Sequence, residues 1–147
     1  MPNDRSGPGD DAAPGLTHSV VKVASAADVV TARQQGRALA AQIGFAGSDL
    51  TVIATAISEL ARNILEYAKT GEIVLGVAQK GSRAGIVIVA RDQGPGIPDL
   101  WKAMQGGFTT GRGLGLGLPG VKRLVDEFEI TSEVGKGTTV TVRKWVA

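Results

Sequence analysis

The sequence predicts an α+β fold, a two-layer sandwich in which helices cover one face of a mixed or antiparallel sheet. Two features carry that expectation. β-rich segments come in neighbouring pairs, "GEIVLGVAQ" with "GIVIVARD" and then two more within "EITSEVGKGTTVTVRKW". Between and before them lie segments with helical spacing, the clearest beginning near Ser48. The order is β-α-α-β-β-α, a glycine-rich stretch, then α-β-β.

Taken in order, residues 1 to 17 are rich in Pro, Gly and Asp without periodicity and read as a disordered tail. The remainder, 18 to 147, is long enough for one domain with a real core and too short for two. "HSVVKVA" is β-branched and opens the sheet. Ser25 is placed to cap the helix that follows, with Asp28 three residues on, and Gly44 supplies its stop. In the next helix Leu50, Ile53, Ala54, Ile57, Leu60, Ala61, Ile64, Leu65 and Ala68 fall on one stripe. Val52, Ala56, Glu59, Asn63 and Tyr67 fall roughly in line on the opposite side. "KGSRA" joins the next two strands as a hairpin, "IPDLWKAMQ" is a short helix, and "LPGVKRLVDEF" is an amphipathic one with Pro119 in its first turn.

Composition narrows the function. Cysteine is absent, which removes disulfide frameworks and thiolate metal sites. Neither a secretory signal nor an apolar run of ~18 residues is present, so a cytoplasmic protein without a membrane partner is expected. Net charge is only +2, both signs are interspersed, and aromatic residues are few, which argues against a nucleic-acid partner.

Five glycines fall within "GRGLGLGLPG". "VGKGTT" fails as a P-loop because Gly137 stands where Ser or Thr is needed. Gly115, Gly117 and Gly120 match a dinucleotide fingerprint by count, but no strand precedes them. A third reading is a lid that closes over a triphosphate, with backbone N–H groups converging on the anion and Arg112 reaching the terminal phosphate. A plain connecting loop is the alternative. Asp92 ends an apolar strand before "GPG", where its carboxylate can accept a hydrogen bond from an exocyclic amine such as that of adenine; the same pattern is also ordinary turn chemistry. Glu59 and Asn63 stand at i, i+4, a spacing that suits a hard cation bridging phosphates and equally a solvated helix face.

In sequence, E-x-x-x-N on a helix, D-x-G-x-G after a strand, a glycine-rich lid and G-T-T on a strand resemble the GHKL ATPase superfamily, whose nucleotide domain is the Bergerat fold. The resemblance covers roughly Ser19 to Val146. It implies that Asn63 is the Mg²⁺ ligand and that Glu59 is the general base or orients the nucleophile. By the same resemblance Asp92 accepts from the adenine amine, with Gly94 and Gly96 shaping the base pocket. Gly111, Gly113, Gly115 and Gly117 form the ATP lid, and the Thr138 hydroxyl supports the adenine-binding carboxylate. No transducer region is expected, and the only histidine is His18, so histidine autokinase activity is not expected. The chain is similar to the stand-alone serine/threonine kinases of bacterial partner-switching systems, those of the stressosome in particular. That implies ATP and Mg²⁺ as cofactors, a STAS-domain protein as substrate and a PP2C-type phosphatase as a further partner. The alternative within the same superfamily is an anti-sigma factor that acts by holding a sigma factor. Pairing with a second copy is left open.

Overall fold

The computed structural model describes residues 16–104 and 117–147. Residues 1–15 of the expected tail and the lid residues Gly111, Arg112, Gly113 and Gly115 lie outside the described residues, whereas Leu16 and Thr17, expected to belong to the tail, pair with Val77 and Gly76 and so belong to the sheet. Five strands, β1 (Leu16–Val23), β2 (Gly71–Lys80), β3 (Arg83–Asp92), β4 (Glu127–Glu133) and β5 (Gly137–Trp145), form one sheet in the order β1-β2-β3-β5-β4. Every pairing is antiparallel, so the mixed arrangement is not found: β2–β3 and β4–β5 are hairpins, the chain from β1 returns to pair with β2 only after the helices between them, and a long return brings β5 back beside β3. β2 and β3 turn through Gly81 and Ser82 alone, tighter than the expected five-residue loop, and Gly81 takes a φ of +61° to do so.

Helices α1 (Ala26–Gln42), α2 (Ser48–Asn63) and α4 (Gly117–Leu124) share a core with the sheet, and a single turn, α3 (Leu100–Ala103), follows β3. At the start of α1 the Asp28 carboxylate accepts the backbone N–H groups of Ala24 and Ser25, at 2.8 and 3.1 Å. Gly44, at a φ of +114°, stands just beyond its end. The α2 stripe packs as its spacing requires: Ile53, Ile57, Leu60 and Ile64 meet Ile73, Leu75, Ile86 and Ile88 of the central strands in one core. Val74, Ala78, Val87, Val89 and Trp145 make a second, smaller cluster, so β3 is buried on both faces.

Two boundaries differ from the sequence expectation. α2 does not run to Ala68 as one α-helix. It passes at Ile64 into a π-helical turn, Ile64–Ala68, closed by Lys69 at a φ of +74° with its N–H on the Ile64 carbonyl. α4 ends at Leu124, and "EF" opens β4 instead, because the Asp126 carboxylate is engaged by the Trp145 N–H (2.8 Å) and the Asp126 N–H bonds the Arg143 carbonyl.

Candidate nucleotide and phosphoryl-transfer site

The sheet contributes one half of the site. Asp92 is the last residue of β3, in register with Gly71 on β2 and Thr138 on β5. Its Oδ1 accepts the Gly94 N–H at 2.8 Å, which fixes the carboxylate over the turn that follows and leaves its other oxygen without a hydrogen bond among the described residues. Backbone closes around it. A Cβ on Gly94 would lie 2.5 Å from Cβ of Ala68, and one on Gly137 would collide with the Asp92 carbonyl oxygen. Gly96, at a φ of +80°, passes equally close to the Glu133 carbonyl. These glycines are required by close approach and not merely by turn propensity.

Ser132 organises the far wall, and sequence reasoning missed it. Its hydroxyl accepts the Ile97 N–H (2.7 Å), lies 2.8 Å from Oγ1 of Thr138 and reaches the Gly137 carbonyl at 3.2 Å. The Gly135 N–H on the Pro95 carbonyl adds a backbone tie between the same two segments. Thr138 therefore stands beside Asp92 in register while its own hydroxyl is engaged by Ser132. A lone serine in an alternating edge strand carries no signal that would have singled it out.

The helical half comes from α2. Asn63 is its last residue, half-buried, and among the described residues its amide makes no side-chain hydrogen bond. The π-turn that follows carries Ala68 against Gly94, which ties the end of α2 to the Asp92 turn. Glu59 sits one helical turn before Asn63. It is not on an exposed polar face: its side chain is only 5% exposed, and Ala56 is fully buried, because α1 packs along this side of α2. One Glu59 oxygen accepts from Nη1 of Arg62 at 2.9 Å. Of the lid residues, Gly117 is described; it begins α4 at a φ of +56°.

No group of three His, Cys, Asp or Glu side chains that could hold a metal occurs among the described residues. A cation here would rest on the amide oxygen of Asn63 with phosphate oxygens and water completing its shell, and that sparse donor set fits Mg²⁺, which binds through few protein ligands. No described helix is long and apolar enough to cross a membrane.

A carboxylate at a strand end between close-packed glycines, with a buried Glu and an Asn on the helix tied to that turn, follows the order of motifs by which the sequence resembles the GHKL superfamily. Residues 48–146 match the family model described as histidine kinase-, DNA gyrase B-, and HSP90-like ATPase, and the chain belongs to that family. Within it, the chain is a homologue of the serine/threonine kinases: it is 52% identical over 129 residues to serine/threonine-protein kinase RsbT of Bacillus subtilis, covering 87% of this chain and 96% of that one. An anti-sigma F factor of a Thermoanaerobacter species is 34% identical over 121 residues, 78% of this chain and 83% of its own. Among solved structures, the RsbU and RsbW domains of Rv1364c from Mycobacterium tuberculosis align with a TM-score of 0.54 at 26% identity, over 86% of this chain and 32% of that longer one.

Proposed function

We propose that this protein is the serine/threonine kinase of a partner-switching pathway, transferring the γ-phosphoryl group of ATP to a hydroxyl of a STAS-domain protein. On release from that partner it would engage a PP2C-type phosphatase. The observation that supports the reading is Glu59: a carboxylate buried on the helix that ends in Asn63, one turn before that residue.

In this reading Asp92 accepts from the adenine amine, held in orientation by the Gly94 N–H, while Gly94, Gly96 and Gly137 let backbone close on the base. Thr138 and Ser132 fix the strand opposite. Asn63 would hold Mg²⁺, which when bound neutralises charge on the phosphate oxygens. The lid, with Gly111, Arg112, Gly113, Gly115 and Gly117, would cover the phosphates. Glu59 takes the proton of the acceptor hydroxyl as the new O–P bond forms and the bond from γ-phosphorus to the bridging oxygen breaks, leaving ADP and a phosphoester. Placing a base there is worth ~10²–10⁴-fold.

The test is Glu59→Gln with γ-labelled ATP, Mg²⁺ and the STAS protein captured by the tagged chain. Label should reach serine or threonine of that protein with the parent and fall ~10²–10⁴-fold with the variant, at unchanged ATP affinity. Equal transfer by both would remove Glu59 from the chemistry. The likeness to anti-sigma F factors supports one other reading, sequestration of a sigma factor; capture of a sigma factor with no label transferred would favour it.

A further inference from the structure

Between α1 and α2 runs a groove of about 300 Å³ lined by Arg33, Arg37, Thr51, Ala54, Thr55, Ser58, Glu59 and Arg62. Its chemistry is one-sided. Three guanidinium groups face a single carboxylate, Glu59, and that carboxylate is already committed to Arg62. Arg33 and Arg37 stand at i, i+4 on α1 and make no ion pair among the described residues. On α2, Thr51, Thr55, Ser58 and Arg62 follow one another at helical spacing and form a row of donors along one face. Ser58 is 5% exposed, and its hydroxyl is buried with no hydrogen-bond partner. A buried hydroxyl left unsatisfied costs stability, so its persistence on a groove wall points to a ligand rather than to folding.

Arginine is the residue that reads a carboxylate in two-pronged fashion, and here it recurs three times around one slot. Residues 51 to 62 span about 16 Å along the helix axis, the length of roughly five residues of extended chain. We propose that this groove is the acceptor subsite: it takes an extended, acidic segment of the protein substrate, and a carboxylate of that segment draws Arg62 away from Glu59. The proposal rests on the kinase reading of Glu59 and deepens it, since it states what frees the base. With Arg62 in place, one oxygen of Glu59 is occupied by a guanidinium hydrogen bond. With Arg62 turned to the incoming carboxylate, that oxygen is open to the acceptor hydroxyl beside it. Arg62 is thus a positioning residue, and the base is released only when substrate is seated.

Two measurements test this on the full chain. In the first, without ATP, a seven-residue peptide with glutamates flanking a serine is titrated while the arginine Nε–H resonances are followed, alongside the same peptide with glutamines. The acidic peptide should move Arg33, Arg37 and Arg62 and leave Arg83, on the distant β2–β3 hairpin, in place. Arg33→Gln with Arg37→Gln should weaken binding at least tenfold at an unchanged melting temperature, and Ser58→Ala should weaken it without lowering the melting temperature. Equal shifts with both peptides, shifts spread equally over Arg83, or displacement of the peptide by ADP would overturn the subsite.

The second measurement is ATP hydrolysis to water by the chain alone. Arg62→Gln should raise it at least tenfold if Arg62 restrains the base; an unchanged or lower rate refutes the restraint. Acidic-peptide binding with no phosphoryl transfer by any variant would keep the subsite and count against the kinase reading, so the two failures are distinguishable.

Discussion

Replacing Gly137 by alanine separates two demands that this structure makes of glycine, provided that Gly135→Ala is measured beside it. Both residues lie in the β4–β5 hairpin at positive φ, +83° for Gly135 and +125° for Gly137. A Cβ on Gly135 would meet nothing within 4 Å, so that variant isolates backbone strain, about 1–2 kcal/mol. At Gly137 the Cβ would collide with the Asp92 carbonyl oxygen and lie 2.8 Å from Cα of Gln93. The obstacle is backbone, which cannot rotate away as a side-chain tip can. To the strain, ~1–3 kcal/mol at this less accessible φ, is added an overpacking cost of ~1–3 kcal/mol, or about 4 kcal/mol together. A domain of this size shifts its melting temperature by roughly 4 °C per kcal/mol, so about 6 °C is expected for Gly135→Ala and about 15 °C for Gly137→Ala.

The binding assay is the sharper one. Relief of the collision must push Asp92 and Gln93 off β5, so a fluorescent ATP analogue should bind Gly137→Ala at least tenfold more weakly and Gly135→Ala as the parent. If the two variants match in both stability and affinity, close approach of β5 to Asp92 is not what the glycine provides, and the cradle described above is wrong.

Further outcomes are expected at three places. Asp92→Asn keeps an oxygen for the Gly94 N–H but loses a charged acceptor; ATP affinity should fall ten- to a hundredfold, about 1.5–3 kcal/mol, by titration calorimetry. Ser132→Ala leaves the Ile97 N–H without its acceptor and Thr138 without its partner; a loss of about 1–3 kcal/mol in urea unfolding and faster exchange of the Ile97 amide should follow, and a still-protected amide would refute the assignment. Glu127 sets an acid-side dependence. Partial burial pushes its carboxyl up, but the hydrogen bonds from Lys80 and Trp145 and the charges of Lys80 and Arg143 outweigh that and hold it below the usual value. A carboxyl whose folded pKa is depressed contributes stability that is present above its unfolded pKa and lost as pH falls through the folded one. Urea midpoints compared between pH 7 and pH 3 should therefore drop more for the parent than for Glu127→Gln; equal drops would remove Glu127 from the acid response.

Much of this was legible because periodicity reports directly on burial. The α2 stripe from Ile53 to Ile64 and the paired apolar strands met in one core, and Asp92 ends its strand with its carboxylate held by the Gly94 N–H of the glycine turn. What was not legible depends on contacts distant in sequence. Glu59, paired with Asn63, reads equally as a solvated face because nothing local announces that α1 will cover it. "VDEF" continues a helical pattern, and it is the Trp145 backbone, 19 residues on, that captures Asp126 and ends the helix early. The π-turn at Ile64 brings Ala68 against Gly94, a residue distant in sequence, and Ser132 acquires its role only when β4, β5 and the Ile97 loop converge.

The strand order has a consequence for the time course of folding. β5 is the last strand in the sequence, yet it lies inside the sheet, between β3 and β4, and β4 has no other neighbour. Local closure of the β4–β5 hairpin before it adds to β3 is the less costly order, because pairing between strands close in sequence carries the smaller entropic cost. Until it docks, Asp92 lacks Gly137 and Thr138, even with β1, β2 and β3 already assembled. The surroundings of Asp92 are thus among the last features to be completed, and an ordered Asp92 turn marks a finished molecule rather than a collapsed one. The same geometry makes 117–147 the natural second piece for reassembly from two fragments, with recovery of ATP binding as its signal.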